Sequence, residues 1–144
     1  MKTLNLASRK ISTDFPAFVM GIVNCTPDSF FSGSRGGAER AFELIGEGAD
    51  ILDLGGESTR PGSDYVSAEE EIKRIVPVIE KIRRKSDIPI SVDTRKKSVM
   101  QAAFNSGADI LNDISALEDE PELAFFAAEK KIPVILMHKR GIPS

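Results

Sequence analysis

The pentapeptide Gly-Ala-Asp-Ile-Leu occurs twice in this chain, at Gly48–Leu52 and at Gly107–Leu111, and each copy runs directly into a polar residue, Asp53 or Asn112. Glycine adopts the left-handed conformation that ends a helix at no steric cost. Each copy therefore reads as a helix stop followed by a short apolar strand with a hydrogen-bonding side chain at its far end. A chain that repeats this unit is constrained to β/α units displaying functional groups along one rim of a barrel.

The surrounding sequence keeps the same alternation. Val19–Val23 predicts a buried strand, and Ala41, Phe42 and Ile45 stand at helical spacing in the 38–48 segment. Ser67-Ala68-Glu69-Glu70 matches a capping box, after which Ile72, Ile75, Val76, Ile79 and Ile82 mark one helical face. Pro77 inside that pattern predicts a kink or a break, because proline lacks a donor and clashes with the carbonyl four residues back. A strand at 90–92 precedes a helix over 95–106, with Thr94 as its N-cap and Gly107 closing it. Pro121 suits the first turn of a helix carrying Leu123, Phe126 and Ala127, and Val134–Met137 supplies a fifth strand. Apolar strands joined by helical crossovers predict a parallel sheet covered on both faces. Ahead of them, Leu4, Leu6, Ile11 and Phe15 flank a polar Ser8-Arg9-Lys10 turn, which predicts a small hairpin closing the bottom of the barrel.

Charge and composition remove several functions. The 144 residues carry 19 Lys and Arg against 22 Asp and Glu, a net charge of −3, so there is no basic field of the kind nucleic-acid binding requires. Neither a signal-peptide run nor a membrane span of about 18 apolar residues is present. Cys25 is the single cysteine and agrees with a reducing compartment. The expectation is a cytoplasmic protein without nucleic-acid or membrane partners.

The predicted strands end in Asn24, Asp53, Asp93-Thr94, Asn112-Asp113 and His138, all at the end where parallel α/β folds bind ligands. Any one of these residues more commonly starts a turn or caps a helix. Asn112 and Asp113, however, sit between Ile110-Leu111 and Ile114, and a buried polar pair needs partners that a ligand could supply. Two tips are longer. Asn24-Cys25-Thr26-Pro27-Asp28-Ser29-Phe30-Phe31 offers an amide, hydroxyls and a carboxylate on a loop. Gly55-Gly56-Glu57-Ser58-Thr59-Arg60-Pro61-Gly62 presents an arginine suited to bidentate hydrogen bonds with a phosphate.

On these residues, with Ser91-Val92-Asp93-Thr94 and Asn112-Asp113-Ile114 following in order, the chain resembles the dihydropteroate synthase family across nearly its whole length. The resemblance implies an α/β (β/α)8 TIM barrel. About the first five units would lie within residues 1–144, a single incomplete domain, since a complete barrel takes about 250 residues. It also implies a reaction: 6-hydroxymethyl-7,8-dihydropterin diphosphate and p-aminobenzoate condense to dihydropteroate and diphosphate with Mg²⁺. Asp93 and Asn112 would hold the pterin edge, Asn24 the magnesium and diphosphate, and Thr59 and Arg60 would lie near the substrates. Asp53 would support the pterin site from behind, while loops bearing Thr26, Asp28, Ser29, Phe30, Ser58 and Pro61 close over it. The family further implies a homodimer, and an Asp, a Lys and a basic anion site on later strands. Cys25 reads as a small buried hydrophobe rather than a nucleophile. His138 suits a tip contact or a structural role. Phe31-Ser32-Gly33-Ser34 departs from the family's commoner loop. Two further readings stand beside this one: a non-catalytic pterin-binding half-barrel, and a methyltetrahydrofolate:corrinoid methyltransferase-like domain.

Overall fold

In a computed structural model, which describes residues 1–26, 37–58, 62 and 64–138, an antiparallel pair precedes a five-stranded parallel sheet. The pair is β1 (Lys2–Asn5) and β2 (Lys10–Thr13). The sheet contains β3 (Met20–Asn24), β4 (Ile51–Gly55), β5 (Ile90–Asp93), β6 (Ile110–Asp113) and β7 (Val134–Leu136), lying side by side in chain order. Helices α1 (Gly37–Gly46), α2 (Ala68–Arg83), α3 (Lys97–Ser106) and α4 (Glu122–Lys130) alternate with the strands. Because parallel crossovers are right-handed, an unreversed strand order places every helix on the same side. This is the wall of a barrel, not a doubly wound sheet. Among the described residues no helix is long and apolar enough to cross a membrane.

Strand alternation divides the apolar residues between two faces. Leu52, Leu54, Val92 and Leu111 pack with Ile75, Ile79, Ile82, Val99, Met100 and Leu123 of the helices. Ile51 and Ile110 belong to the opposite face and meet Leu6 of the hairpin region, with Leu4, Ile11, Phe18 and Met20 around them. The hairpin thus covers the N-terminal ends of the strands, as expected.

Among the described residues, the expected cover on both faces is met on one: helices line that face, whereas the other is closed at its base and open above it, with Ile22 67% exposed and Ile135 39%. Apolar strands serve equally in a sheet between two helical layers and in a barrel wall whose inner face is shielded by further strands, so strand composition does not separate the two.

Both repeats fold alike. Gly48 and Gly107 have φ of 102° and 116°, and the following amides close the helix ends, Ala49 to Leu44 O at 3.0 Å and Ala108 to Ala103 O at 2.9 Å. The repeated aspartates then tie down neighbouring strands. Asp50 Oδ2 accepts from Val19 N at 2.7 Å, and Asp109 Oδ2 from Ile90 N at 2.9 Å. The repeat is therefore a joint as well as a helix stop, setting the height of each strand against the next.

Three local details differ from expectation. The break that is the alternative to a kink at Pro77 does not occur: α2 runs through Pro77, which is exposed, so the carbonyl it leaves unpaired faces solvent. Ser67 caps this helix by accepting from Glu70 N at 3.2 Å, while the Glu70 carboxylate pairs with Arg74 instead of completing a capping box. α3 starts at Lys97 and Thr94 is not its cap. The Thr94 hydroxyl accepts from Lys96 N at 3.2 Å in a turn, and Glu120 Oε2 receives the Lys97 amide at 2.7 Å.

Candidate functional site at the strand tips

Strand register assembles a polar layer. Asn24 lies beside Gly55, Gly55 beside Asp93, and Asp93 beside Asn112, so the four share one level of the inner face. One level lower stand Ile22, Asp53, Ser91 and Ile110. Gly55 leaves space in the upper layer, since a Cβ there would sit 3.8 Å from Asp93 Oδ2 and cover the carboxylate. The layers are coupled by Asn112, whose Nδ2 donates to Asp53 at 3.4 Å from Oδ1 and 3.3 Å from Oδ2.

The carboxylates in this well are hard to ionise. Asp93 is pushed up to about 6, chiefly by burial and then by the charges of Asp53, Glu71 and Asp113, with Arg95 offsetting part of the effect. Burial also raises Asp53, against the stabilising hydrogen bond from Asn112. Ser91 Oγ, buried beside Asp53, helps to hold that charge but reaches no partner at good hydrogen-bond geometry among the described residues. Such a layer offers acceptors from Asp93 and both a donor and an acceptor from Asn112, matching a flat ring with amino and ring N–H groups along one edge.

Asn112 and Asp113 part company. Asp113 is fully buried and holds the following turn, accepting from Ser115 N and Oγ at 2.8 Å and from Leu117 N at 3.1 Å. Those bonds hold Ala116 and Leu117 at positive φ, 53° and 68°. For Asp113, turn formation accounts for the residue without a ligand.

Beside the well lies an ionic cluster built from three successive rim segments. Lys96 Nζ donates to Glu71, to Glu57 Oε2 at 3.1 Å and to Val66 O at 2.9 Å, and lies 4.8 Å from the centre of the Tyr65 ring. Arg95 bridges Glu57 at 3.3 Å to Asp119 at 2.8 Å. Thr94 Oγ1 donates to Glu71 Oε1 at 3.2 Å. Burial opposes the Lys96 charge, but Glu71 and Glu57 more than offset it and hold the ammonium above its ordinary value. Glu57 in turn is held low despite burial, by Lys96, the Val66 amide and Arg95.

Sequence reasoning assigns no role to Glu57, Glu71, Arg95 or Lys96. One signal is available: Glu71 shares its helical face with Ile75, Val78 and Ile82, and a carboxylate on an apolar stripe demands a partner.

The remaining sequence-derived positions divide plainly. Asn24 is exposed at its strand tip, Thr26 and Ser58 are half-buried, and His138 is exposed beyond β7. Asp28, Ser29, Phe30, Thr59, Arg60 and Pro61 lie outside the described residues. Cys25 is fully buried and its thiol is pushed up to about 12 by that burial, which suits a packing residue and not a nucleophile. Among the described residues no cluster of three His, Cys, Asp or Glu side chains is placed to hold a metal ion.

Comparison with known proteins agrees with this architecture. Residues 20–144 match the family described as pterin binding enzyme. The dihydropteroate synthases of Synechocystis sp. and Bacillus subtilis are 47% and 49% identical over 88% and 85% of this chain, and the match covers 45% of each relative. A Xanthomonas albilineans dihydropteroate synthase with 4-aminobenzoic acid superposes with a TM-score of 0.85 at 44% identity, covering 99% of this chain and 54% of that one. A Burkholderia cenocepacia dihydropteroate synthase complexed with 7,8-dihydropteroate gives 0.79 at 39%, covering 98% and 48%. The chain spans about half the length of the relatives it matches.

Proposed function

The chain belongs to the pterin-binding enzyme family, and on that premise we propose that it is the N-terminal portion of a cytoplasmic dihydropteroate synthase whose activity belongs to the complete barrel. The observation that carries this reading is the Asn24–Gly55–Asp93–Asn112 layer, with Asp53 fixing the Asn112 amide from below. In the proposed reaction the amine of p-aminobenzoate attacks the methylene carbon of the pterin diphosphate. A C–N bond forms, the C–O bond to diphosphate breaks, and the amine gives up a proton.

The residues of this half bind and orient. Asp93 accepts from the pterin edge, Asn112 adds a second hydrogen bond, and Asp53 keeps the Asn112 amide turned toward the ring. Asn24 offers an amide oxygen to a hard cation, which suits magnesium held mainly by water and substrate phosphates rather than by a protein cage. When bound, that ion would neutralise charge on the departing diphosphate. Thr59 and Arg60 are proposed to contact substrates, with Thr26, Asp28, Ser29, Phe30, Ser58 and Pro61 on the covering loops and a homodimer as the assembly. Chemistry of this kind uses positioning and charge stabilisation and needs no protein nucleophile.

Incubating the full-length protein with pterin diphosphate, p-aminobenzoate and Mg²⁺ should release diphosphate and form dihydropteroate in equal amounts. Methyl transfer from a methylated folate without diphosphate release would sink the proposal.

A further inference from the structure

The chain leaving Asp93 is held from the helix side of the sheet by one carboxylate. Glu71 of α2 is fully buried, and it accepts from Thr94 Oγ1 at 3.2 Å and from Lys96 Nζ. Thr94 is fixed on two further sides: its amide donates to Asn112 O at 3.1 Å, and its hydroxyl accepts from Lys96 N at 3.2 Å. A staple between α2 and the turn after β5 needs only the Lys96 pair. The bond to Thr94 carries the contact to the residue beside Asp93, and from there to Asn112 of the same polar layer. Charge acts along the same line. A buried carboxylate is screened little by salt, and Glu71 joins Asp53 of β4 and Asp113 of β6 in adding to the effect of burial on Asp93, with Arg95 opposing them. Burial pushes the Glu71 carboxyl itself up, and the bond and charge of Lys96 oppose this.

We propose that Glu71 is a positioning residue for Asp93: bonded through Thr94 and Lys96 behind the sheet, it fixes where the Asp93 carboxylate stands and how much negative charge lies behind it. The proposal rests on the dihydropteroate synthase reading only where a pterin serves as the ligand, because the proton on Asp93 reports the hold of Glu71 by itself.

Two substitutions in the full-length protein separate charge from bond. Glu71→Gln keeps an oxygen to accept from Thr94 and Lys96 and removes the charge, while Asp53, Asp113, Arg95 and the Glu57 partner of Lys96 stay in place. Thr94→Val keeps shape and charge and removes the hydroxyl. Carbon-13 NMR of labelled aspartate, with the Asp93 signal identified by its loss in Asp93→Asn, follows the titration without a ligand. The midpoint, about 6 in the unsubstituted protein, should move down in Glu71→Gln. That is a loss of proton affinity of about threefold to tenfold, against less than about twofold in Thr94→Val. In calorimetry with the pterin diphosphate, Glu71→Gln should bind about threefold more tightly than the unsubstituted protein at pH 5 and alike at pH 8. Thr94→Val should bind about threefold to tenfold more weakly at both. An Asp93 midpoint left in place by Glu71→Gln overturns the proposal, and so does Thr94→Val binding like the unsubstituted protein at pH 8. A shifted midpoint in a protein that binds no pterin supports the hold of Glu71 on Asp93 and overturns the proposed function instead.

Discussion

Asp53 and Asn112 meet over a strand that belongs to neither: β4 and β6 are separated by β5, and the Asn112 amide reaches above Ser91 to lie 3.3 Å from the Asp53 carboxylate. A contact between next-nearest strands requires the inward curl of a barrel wall. It also fixes which way the amide presents its donor and its acceptor.

Replacing Asp53 with alanine in the full-length protein should weaken pterin diphosphate binding by about 1–2 kcal/mol, because the freed amide must be ordered by the ligand instead. Isothermal titration calorimetry reads this directly. Unaltered affinity in a folded Asp53→Ala protein would separate Asp53 from the site.

Asp93 costs stability at neutral pH. Its folded value of about 6 lies above the ordinary 3.8, so the native state holds this proton more tightly than the unfolded chain does. Stability from this group is full below the ordinary value, falls as pH rises from about 4 to about 6, and stays lower above that. Asp93→Asn removes the penalty and should stabilise the protein at pH 7 by on the order of 1–2 kcal/mol, allowing for its partly open setting, with no gain at pH 4. Urea denaturation at both pH values checks the sign, and an Asp93→Asn protein less stable than the wild type at pH 7 would contradict it.

Recognition should titrate with the same group. If the ionised Asp93 accepts the pterin N–H groups, affinity for a pterin ligand falls about tenfold per unit once pH drops below about 6. In Asp93→Asn the profile should be weak and flat across that window. A wild-type profile equally flat would show that Asp93 is not the acceptor.

The two repeat glycines should differ in tolerance. Alanine at either position is strained by the left-handed backbone, at about 1–2 kcal/mol. At Gly48 nothing lies within 4 Å of the added methyl group, whereas at Gly107 it would sit 2.9 Å from Arg83 Nε and 3.0 Å from Cγ. That guanidinium donates to Gly107 O at 2.7 Å and to Ile88 O at 2.7 Å, and it pairs with Asp109 at 2.8 Å. Gly107→Ala should therefore lower the melting temperature clearly more than Gly48→Ala, and equal shifts would remove Arg83 from the explanation.

Cys25 should resist a water-soluble disulfide reagent in the native protein and react fully in denaturant, since burial keeps it a thiol. Cys25→Ala should retain turnover. Rapid native labelling accompanied by loss of activity would place the thiol in the chemistry.

Much of the architecture is legible in the sequence because it is written in short-range periodicity. Gly48 and Gly107 announce helix ends, Leu6 and Ile11 the hairpin, and the strand tips the polar layer. Features that depend on long-range meetings are not. Thr94 resembles a cap because it precedes a helix, yet the amide at Lys97 is satisfied by Glu120 from a later segment. Pro77 leaves a kink and a break both open to a reader of the sequence, and the break is excluded because its exposed side of α2 tolerates a missing hydrogen bond. Adjacency groups Asp113 with Asn112, although consecutive strand residues point to opposite faces. The cluster of Glu57, Glu71, Arg95 and Lys96 draws its members from three separate segments, and only the carboxylate on the apolar face of α2 hints at it.

The hairpin under the strands gives the site a direction. With Leu6 seated on Ile51 and Ile110, this half of the barrel is a blind well whose floor is hydrocarbon and whose mouth lies at the strand tips. If a flat ring rests on the polar layer as proposed, it forms the new floor for whatever follows it, and order of arrival is set by depth: the molecule on Asp93 and Asn112 would come first and leave last.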